Sequence, residues 1–171
     1  MDFIIQKASS EIFDEIIDII QSVLSSMAQK DWFAADNAEY TRHMLTTKKG
    51  IAYTAVVKET GAIAGIFMVT FPGNSTDNLG RDAGLPADEL MKVAHMDSAA
   101  VLPPYRGHHL QRQLMLAAEN DLKKSGYQYL CCTIHPDNRY SLNSALSLNY
   151  QIIATCEKYG GYLRAVLMKK L

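Results

Sequence analysis

The stretch that most constrains this chain runs from Met91 to Ile134, where a strand pattern, a helix pattern and a second strand pattern follow one another. Met91 to Val101 reads as a strand, and Pro103-Pro104 stops it, because proline donates no ladder hydrogen bond and fixes φ. Arg106 to Ser125 then reads as a helix ending at Gly126, and Tyr127 to Ile134 as a strand. Such a βαβ unit makes its two strands parallel and joins them by a right-handed crossover.

The remaining segments do not repeat that unit. Phe3 to Lys7 is a strand candidate, followed by Ser9 or Ser10 as a helix cap with Glu11 and Asp14 in the first turn. Ile12, Phe13, Ile16, Ile17, Ile20, Val23, Leu24 and Met27 recur at helical spacing and predict an amphipathic helix that ends near Lys30. Residues 36–47 read as a second helix, stopped by Lys48-Lys49-Gly50. Ile51 to Lys58 and Ala62 to Phe71 flank Glu59-Thr60-Gly61, a hairpin signal for an antiparallel pair. Residues 72–90 are rich in Gly, Asn, Asp and Pro, and a connection of that length is either disordered or functional. Asn138 to Leu148 reads as a helix, and strands at Gln151 to Cys156 and Tyr162 to Met168 flank a Gly160-Gly161 turn. The expected fold class is therefore α/β, with a mixed, twisted sheet of about six to seven strands between about four helices in three layers. No GxGxxG or GxxxxGK[ST] is present, so a doubly wound nucleotide fold is set aside.

Composition narrows the partners. A chain of 171 residues with 48% apolar content suits one domain. Its 17 basic and 18 acidic residues leave a net charge of -1, without the basic field that draws nucleic acid or an anionic membrane. The N-terminal stretch MDFIIQKASSEIF has no signal-peptide pattern and no long apolar run follows, so a cytoplasmic location is the default expectation. Three cysteines argue against a disulfide framework, and Cys131 and Cys132, adjacent in a strand, should face opposite ways as core thiols. Any anion must be bound locally.

The turn after the first βαβ strand offers the means. Arg106-Gly107 opens a helix whose first amides, across His108, His109, Leu110, Gln111 and Arg112, have no intrahelical partners. Several free N–H groups and the positive end of the dipole suit a diphosphate, Gly107 keeps the approach open, and Arg106 or Arg112 can pair with a phosphate. His108 and His109 diverge by about 100° and lack companion ligands, so no metal site is expected there.

This junction resembles the cofactor motif of the GCN5-related N-acetyltransferase (GNAT) family, Arg/Gln-x-x-Gly-x-Gly/Ala, with Arg106 leading and His109 and Gln111 at the two small positions. His135-Pro136-Asp137-Asn138-Arg139-Tyr140-Ser141, continuing to Leu148-Asn149-Tyr150, resembles the family's later Pro-x-Asn-x-x-Ser segment. Element order is similar from Phe3 to Met168. The resemblance implies acetyl-CoA as cosubstrate without a metal, with Asn138 and Ser141 beside the pantetheine arm and a fourth-strand amide near Ala100 or Val101, next to Ala99, meeting the oxyanion. It also implies a small-molecule or peptide amine as acceptor, with a homodimer as one family assembly. The family's general-acid tyrosine falls on Ala145, with Tyr140 and Tyr150 nearby out of register, and Tyr140 is taken as a catalytic candidate beside His95 and Asp97.

Base candidates come from the fourth strand. Strict alternation puts Val93, His95, Asp97, Ala99 and Val101 on one face and Ala94, Met96, Ser98 and Ala100 on the other. His95 and Asp97 are thus neighbours able to deprotonate an amine. Trp32-Phe33 either lines an acceptor pocket or anchors the first two helices. Three rival readings stay open: a non-catalytic acyl-CoA-binding or sensing module, an acyltransferase with a longer acyl donor or an alcohol acceptor, and a structural interaction domain.

Overall fold

In the computed structural model, residues 1–33 and 37–171 are described. One sheet contains β1 (Phe3–Lys7), β2 (Gly50–Val57), β3 (Ile63–Thr70), β4 (Val93–Val101), β5 (Tyr129–Ile134), β6 (Gln151–Lys158) and β7 (Tyr162–Lys170), in the order β1-β2-β3-β4-β5-β7-β6. The helices among the described residues are α1 (Phe13–Ser26), α2 (Ala38–Thr46), α3 (Leu110–Lys124) and α4 (Arg139–Leu146). Only β4 and β5, the strands of the βαβ unit, run parallel; every other neighbouring pair is antiparallel. The mixed three-layer fold expected from the sequence is the one observed.

Each helix lies where its apolar stripe demands. Leu110, Leu114, Met115, Ala118 and Leu122 of α3 and Leu142 and Ala145 of α4 pack on one face of the sheet, against Ala94, Met96, Leu130 and Cys132. On the other face α1 buries Ile16, Ile20 and Val23 over Ala52, Ile66, Met68 and Ala100. Each such aliphatic burial contributes about 1.5–3 kcal/mol. The first helix stops at Ser26, short of the expected Lys30, because Lys30 caps it instead. The Lys30 ammonium donates to the carbonyls of Leu24 (3.1 Å) and Ser25 (2.7 Å). The expected start of the second helix at Asp36 lies outside the described residues; the helix is seen from Ala38, capped by the Asn37 side chain on Tyr40 N.

The long connection between β3 and β4 is ordered and covers the half of that second face which α1 and α2 leave open. Leu79 packs there with Val93, Tyr129, Cys131 and Val166. Asn78, 1% exposed, organises the segment. Its amide donates to the carbonyls of Gly73 (2.7 Å) and Leu90 (3.0 Å), and its carbonyl accepts from Gly80 N (2.8 Å). Lys158 of β6 ties the segment down through Asp82 at 2.6 Å.

Alternation along β4 fails at one place. Between the pairs Val69↔Met96 and Phe67↔Ala99, β4 advances three residues while β3 advances two. The extra residue is a bulge at Asp97-Ser98. Downstream side chains therefore change sides. Ala99 and Val101 pack with Ala94 and Met96 on the α3 face, whereas Ala100 joins the α1 face. The strict alternation expected from the sequence is corrected accordingly.

If Asn78 is the organising group, Asn78→Ala leaves three backbone groups, two of them buried, without their partner. We expect it to destabilise the protein by about 2–4 kcal/mol, read from the midpoint of chemical denaturation.

Candidate active site

The site begins with a gap in the sheet. The parallel ladder holds only for Val93↔Tyr129, Ala94↔Leu130 and His95↔Cys131. Beyond those pairs β4 keeps its bonds to β3 and β5 keeps its bonds to β7, so the two central strands part towards their C-terminal ends. Backbone groups on the facing edge of β4, through Val101, lose their neighbour strand. A buried backbone edge needs partners, so this gap suits an extended polar ligand.

The segment leaving β4 lies at the mouth of the gap. Pro103-Pro104-Tyr105 forms one 3-10 turn, and Arg106 is extended rather than helical. Gly107 (φ 87°) and His109 (φ 56°) are left-handed, so helix cannot propagate through them, and α3 starts at Leu110 rather than at the expected Arg106. The first helical bond runs from Gln113 N to His109 O. The amides of Leu110, Gln111 and Arg112 therefore precede it and point out of the helix start. A Cβ on Gly107 would meet nothing within 4 Å, so that glycine serves its backbone angle and an open approach.

Side chains around this turn divide by direction. Arg106 is exposed and donates Nε to Val101 O at 3.3 Å, folding back along β4. Arg112 donates to Ser147 Oγ at 3.2 Å, and Ser141 Oγ donates to Gln111 Oε1 at 3.2 Å, joining the starts of α3 and α4. Asn138 caps α4 through Ser141 N at 3.3 Å. His108 turns to β1 and packs on Phe3 with ring centroids 5.2 Å apart, so its imidazole leaves the turn. Leu110 is buried in the core, leaving only its amide for a ligand.

The base candidates separate. His95 Nε2 accepts the Leu79 amide at 3.0 Å. Desolvation lowers its pKa to about 4, outweighing the opposing pull of Asp77 and Asp82. With Nε2 committed as acceptor, the neutral ring carries its proton on Nδ1 and has no lone pair left for an amine. His95, expected as a base, is thereby corrected to a residue that anchors the covering segment. Asp97 stands exposed at the bulge, and a recess between α1, α2, β3 and β4 brings it together with Ser98, Thr70, Tyr40 and Thr41. Tyr140 is 84% exposed, and Ala145, the family's tyrosine position, is fully buried in the α3 core. Ala145 carries no phenol.

The sequence is matched by the family model described as "Acetyltransferase (GNAT) family" over residues 15–150. This chain belongs to the GNAT acetyltransferase family. Among solved structures similar to this GNAT chain is a GCN5-related N-acetyltransferase from Kribbella flavida, with TM-score 0.71 and 16% identity, covering 99% of this chain and 98% of that one. Another is yncA from Salmonella typhimurium with its cofactor acetyl-CoA, with TM-score 0.70, 16% identity and coverage of 98% and 93%. A third is Arabidopsis thaliana NAA60 in complex with acetyl-CoA, with TM-score 0.78, 5% identity and 99% coverage of both chains. At such identities the likeness is one of fold. No curated protein sequence matches the chain. Among the described residues of this GNAT domain, no three His, Cys, Asp or Glu side chains converge as metal ligands, and no helix is long and apolar enough to cross a membrane.

Sequence reasoning missed Ser98, Thr70, Tyr40 and Thr41, which come from three separate elements and share no motif. It also left Arg164 unread. That residue is 1% exposed on β7.

The His95 assignment has a pH signature. Its folded pKa lies below the unfolded value, so the unfolded chain binds the extra proton, and stability falls as pH drops from about 6.5 towards 4. His95→Gln, whose carbonyl can accept the Leu79 amide, should flatten that loss by about 2 kcal/mol in pH-dependent denaturation.

Proposed function

We propose that the chain transfers the acetyl group of acetyl-CoA to a primary amine, with no covalent enzyme intermediate. The observation that carries this reading is the parting of β4 from β5 directly beside the α3 start, a slot and an anion cradle at one end of the sheet. Pyrophosphate would sit on the amides from Gly107 to Arg112, with Arg106 and Arg112 as flanking cations. The pantetheine arm would thread between β4 and β5, past Asn138 and Ser141, and pair with the open edge of β4 along Ala99, Ala100 and Val101. The family membership and the acetyl-CoA-bound neighbours support the same donor.

From the α1 face the acceptor would approach Asp97 at the rim of its recess. Its carboxylate accepts the ammonium hydrogen bond and passes the proton to solvent, and the freed amine attacks the thioester carbon. A backbone N–H at Ala100 or Val101 meets the oxyanion. Collapse breaks the C–S bond and releases CoA thiolate; the amide nitrogen loses its second proton. A thiol pKa of about 8.5 makes thiolate a competent leaving group without a dedicated acid. Positioning supplies the rest of the rate.

Thermal unfolding with and without CoA, and thiol release across an amine panel, test the proposal. Saturating CoA should raise Tm by several degrees, a shift of about 2–4 kcal/mol at a hundred- to thousandfold excess over Kd. Asp97→Asn should cut kcat/KM by about 10²–10³-fold while the CoA shift persists, and Tyr140→Phe should change kcat by less than about twofold. A CoA shift without thiol release from any amine would instead favour the sensing module, and no shift at millimolar CoA would remove the cofactor assignment.

A further inference from the structure

On the α1 side the mouth of the gap has a second wall, built from β5, β7 and the turn after α1. Arg164 points to that side, two residues before Val166, which packs with Val93 and Cys131 on the same face. It lies one step beyond the pair Ile134↔Ala165, level with His135. The residue is 1% exposed. It donates Nη1 to its neighbour Leu163 O at 2.9 Å and Nη2 to Asp31 O at 2.7 Å, with the Tyr162 ring 5.3 Å away. Among the described residues no carboxylate lies within ion-pair distance of it. Carbonyl dipoles and a ring face satisfy its donors, and the carboxylate charge that acts on it is that of Asp31, held beyond ion-pair distance, so at this site the guanidinium keeps no direct anionic partner among the described residues.

Its present occupant is Asp31, from the 3-10 turn Lys30–Trp32 that straps α1 to this wall. Asp31 gives its carbonyl to Arg164 and its carboxylate to His135 Nε2, at 3.4 Å. His135 Nδ1 accepts the Asp137 amide at 3.1 Å, which leaves Nε2 carrying the proton and able to donate. Trp32 stacks on the same imidazole, centroids 6.3 Å apart and planes 28° from parallel. The strap is a single turn without a side-chain cap, and the Asp31 side chain is 56% exposed. Short exposed turns of this kind open at little cost.

We infer that Arg164 and His135 form the acceptor's carboxylate site, which Asp31 occupies when no acceptor is bound. The inference rests on amine acetylation as proposed above and narrows it to one class, amines that carry a carboxylate, such as amino acids. Planar guanidinium suits a carboxylate by paired hydrogen bonds, with His135 Nε2–H as a third donor. Asp97 belongs to β4, beyond its last pair with β5, and would receive the ammonium end, so a zwitterion would meet charges of opposite sign from β4 and from the β5–β7 side.

The test is steady-state thiol release from acetyl-CoA with a set of L-amino acids, each beside its carboxamide, a pair differing in one carboxylate charge. The best acid should exceed its carboxamide by about tenfold or more in kcat/KM, and Arg164→Gln should raise the acid's KM by a similar factor. Asp31→Ala removes the competing carboxylate and should lower that KM severalfold, an effect that a merely structural strap would not produce. Equal or faster turnover of the carboxamides overturns the inference, as does a KM that rises in Asp31→Ala. If Arg164→Gln does not fold, the acid-to-carboxamide ratio of the unmodified chain and the Asp31→Ala KM decide the question. Thiol release from simple alkylamines but from neither acids nor carboxamides overturns this inference and leaves amine acetylation standing; no release from any amine removes both.

Discussion

The structure turns on the hydrogen bonding of one strand. Along its β3 edge β4 is paired through Val101, yet along its β5 edge pairing stops after His95. A parallel neighbour that ends so early leaves backbone donors and acceptors at the middle of a seven-stranded sheet, where unsatisfied groups cost most. The Asp97-Ser98 bulge adds to this by raising the local twist and reversing the faces of the residues beyond it. The slot, the recess beside Asp97 and the free amides at the α3 start are all set by the course of β4 beyond His95.

Around the gap the two faces do different work. The α3 and α4 face is a mainly apolar core, with an ion pair between the buried Glu119 and Lys169, that ends in polar contacts between helix starts, Ser141 with Gln111 and Arg112 with Ser147. The opposite face is assembled from irregular pieces: the covering segment pinned by Asn78, His95 and Lys158, and the strap that ends on Arg164 and His135. Irregular segments held by a few polar anchors can change without disturbing the sheet.

Much of the fold was legible because its signals are local. The alternation of strand and helix from Met91 to Ile134 set the parallel pair, the Ile-rich stripe of α1 set one helix face, and Gly126 and Gly160-Gly161 marked stops and turns that the structure repeats. Arg106-Gly107 marked the turn before the helix, although two left-handed residues moved the helix start to Leu110. The bulge was not legible. A period-two pattern carries no mark of an inserted residue, since the register shift lives in pairing with Phe67 and Val69, some thirty residues away. His95 shows the same limit: its Leu79 partner lies 16 residues earlier in a segment with no regular pattern.

What the sequence by itself determined was the order and type of the elements, the mixed sheet and the junction where a strand gives way to a helix start with free amides. These follow from side-chain period, proline and glycine, which act within a few residues. Only the tertiary structure decided that β4 parts from β5, that His95 is spent on a backbone amide while Asp97 faces a recess, and that Asp31, His135 and Arg164 share one wall. Those outcomes depend on contacts between segments up to 133 residues apart. Such contacts are settled by how whole layers pack and by which buried polar groups find partners, and no local pattern records that choice.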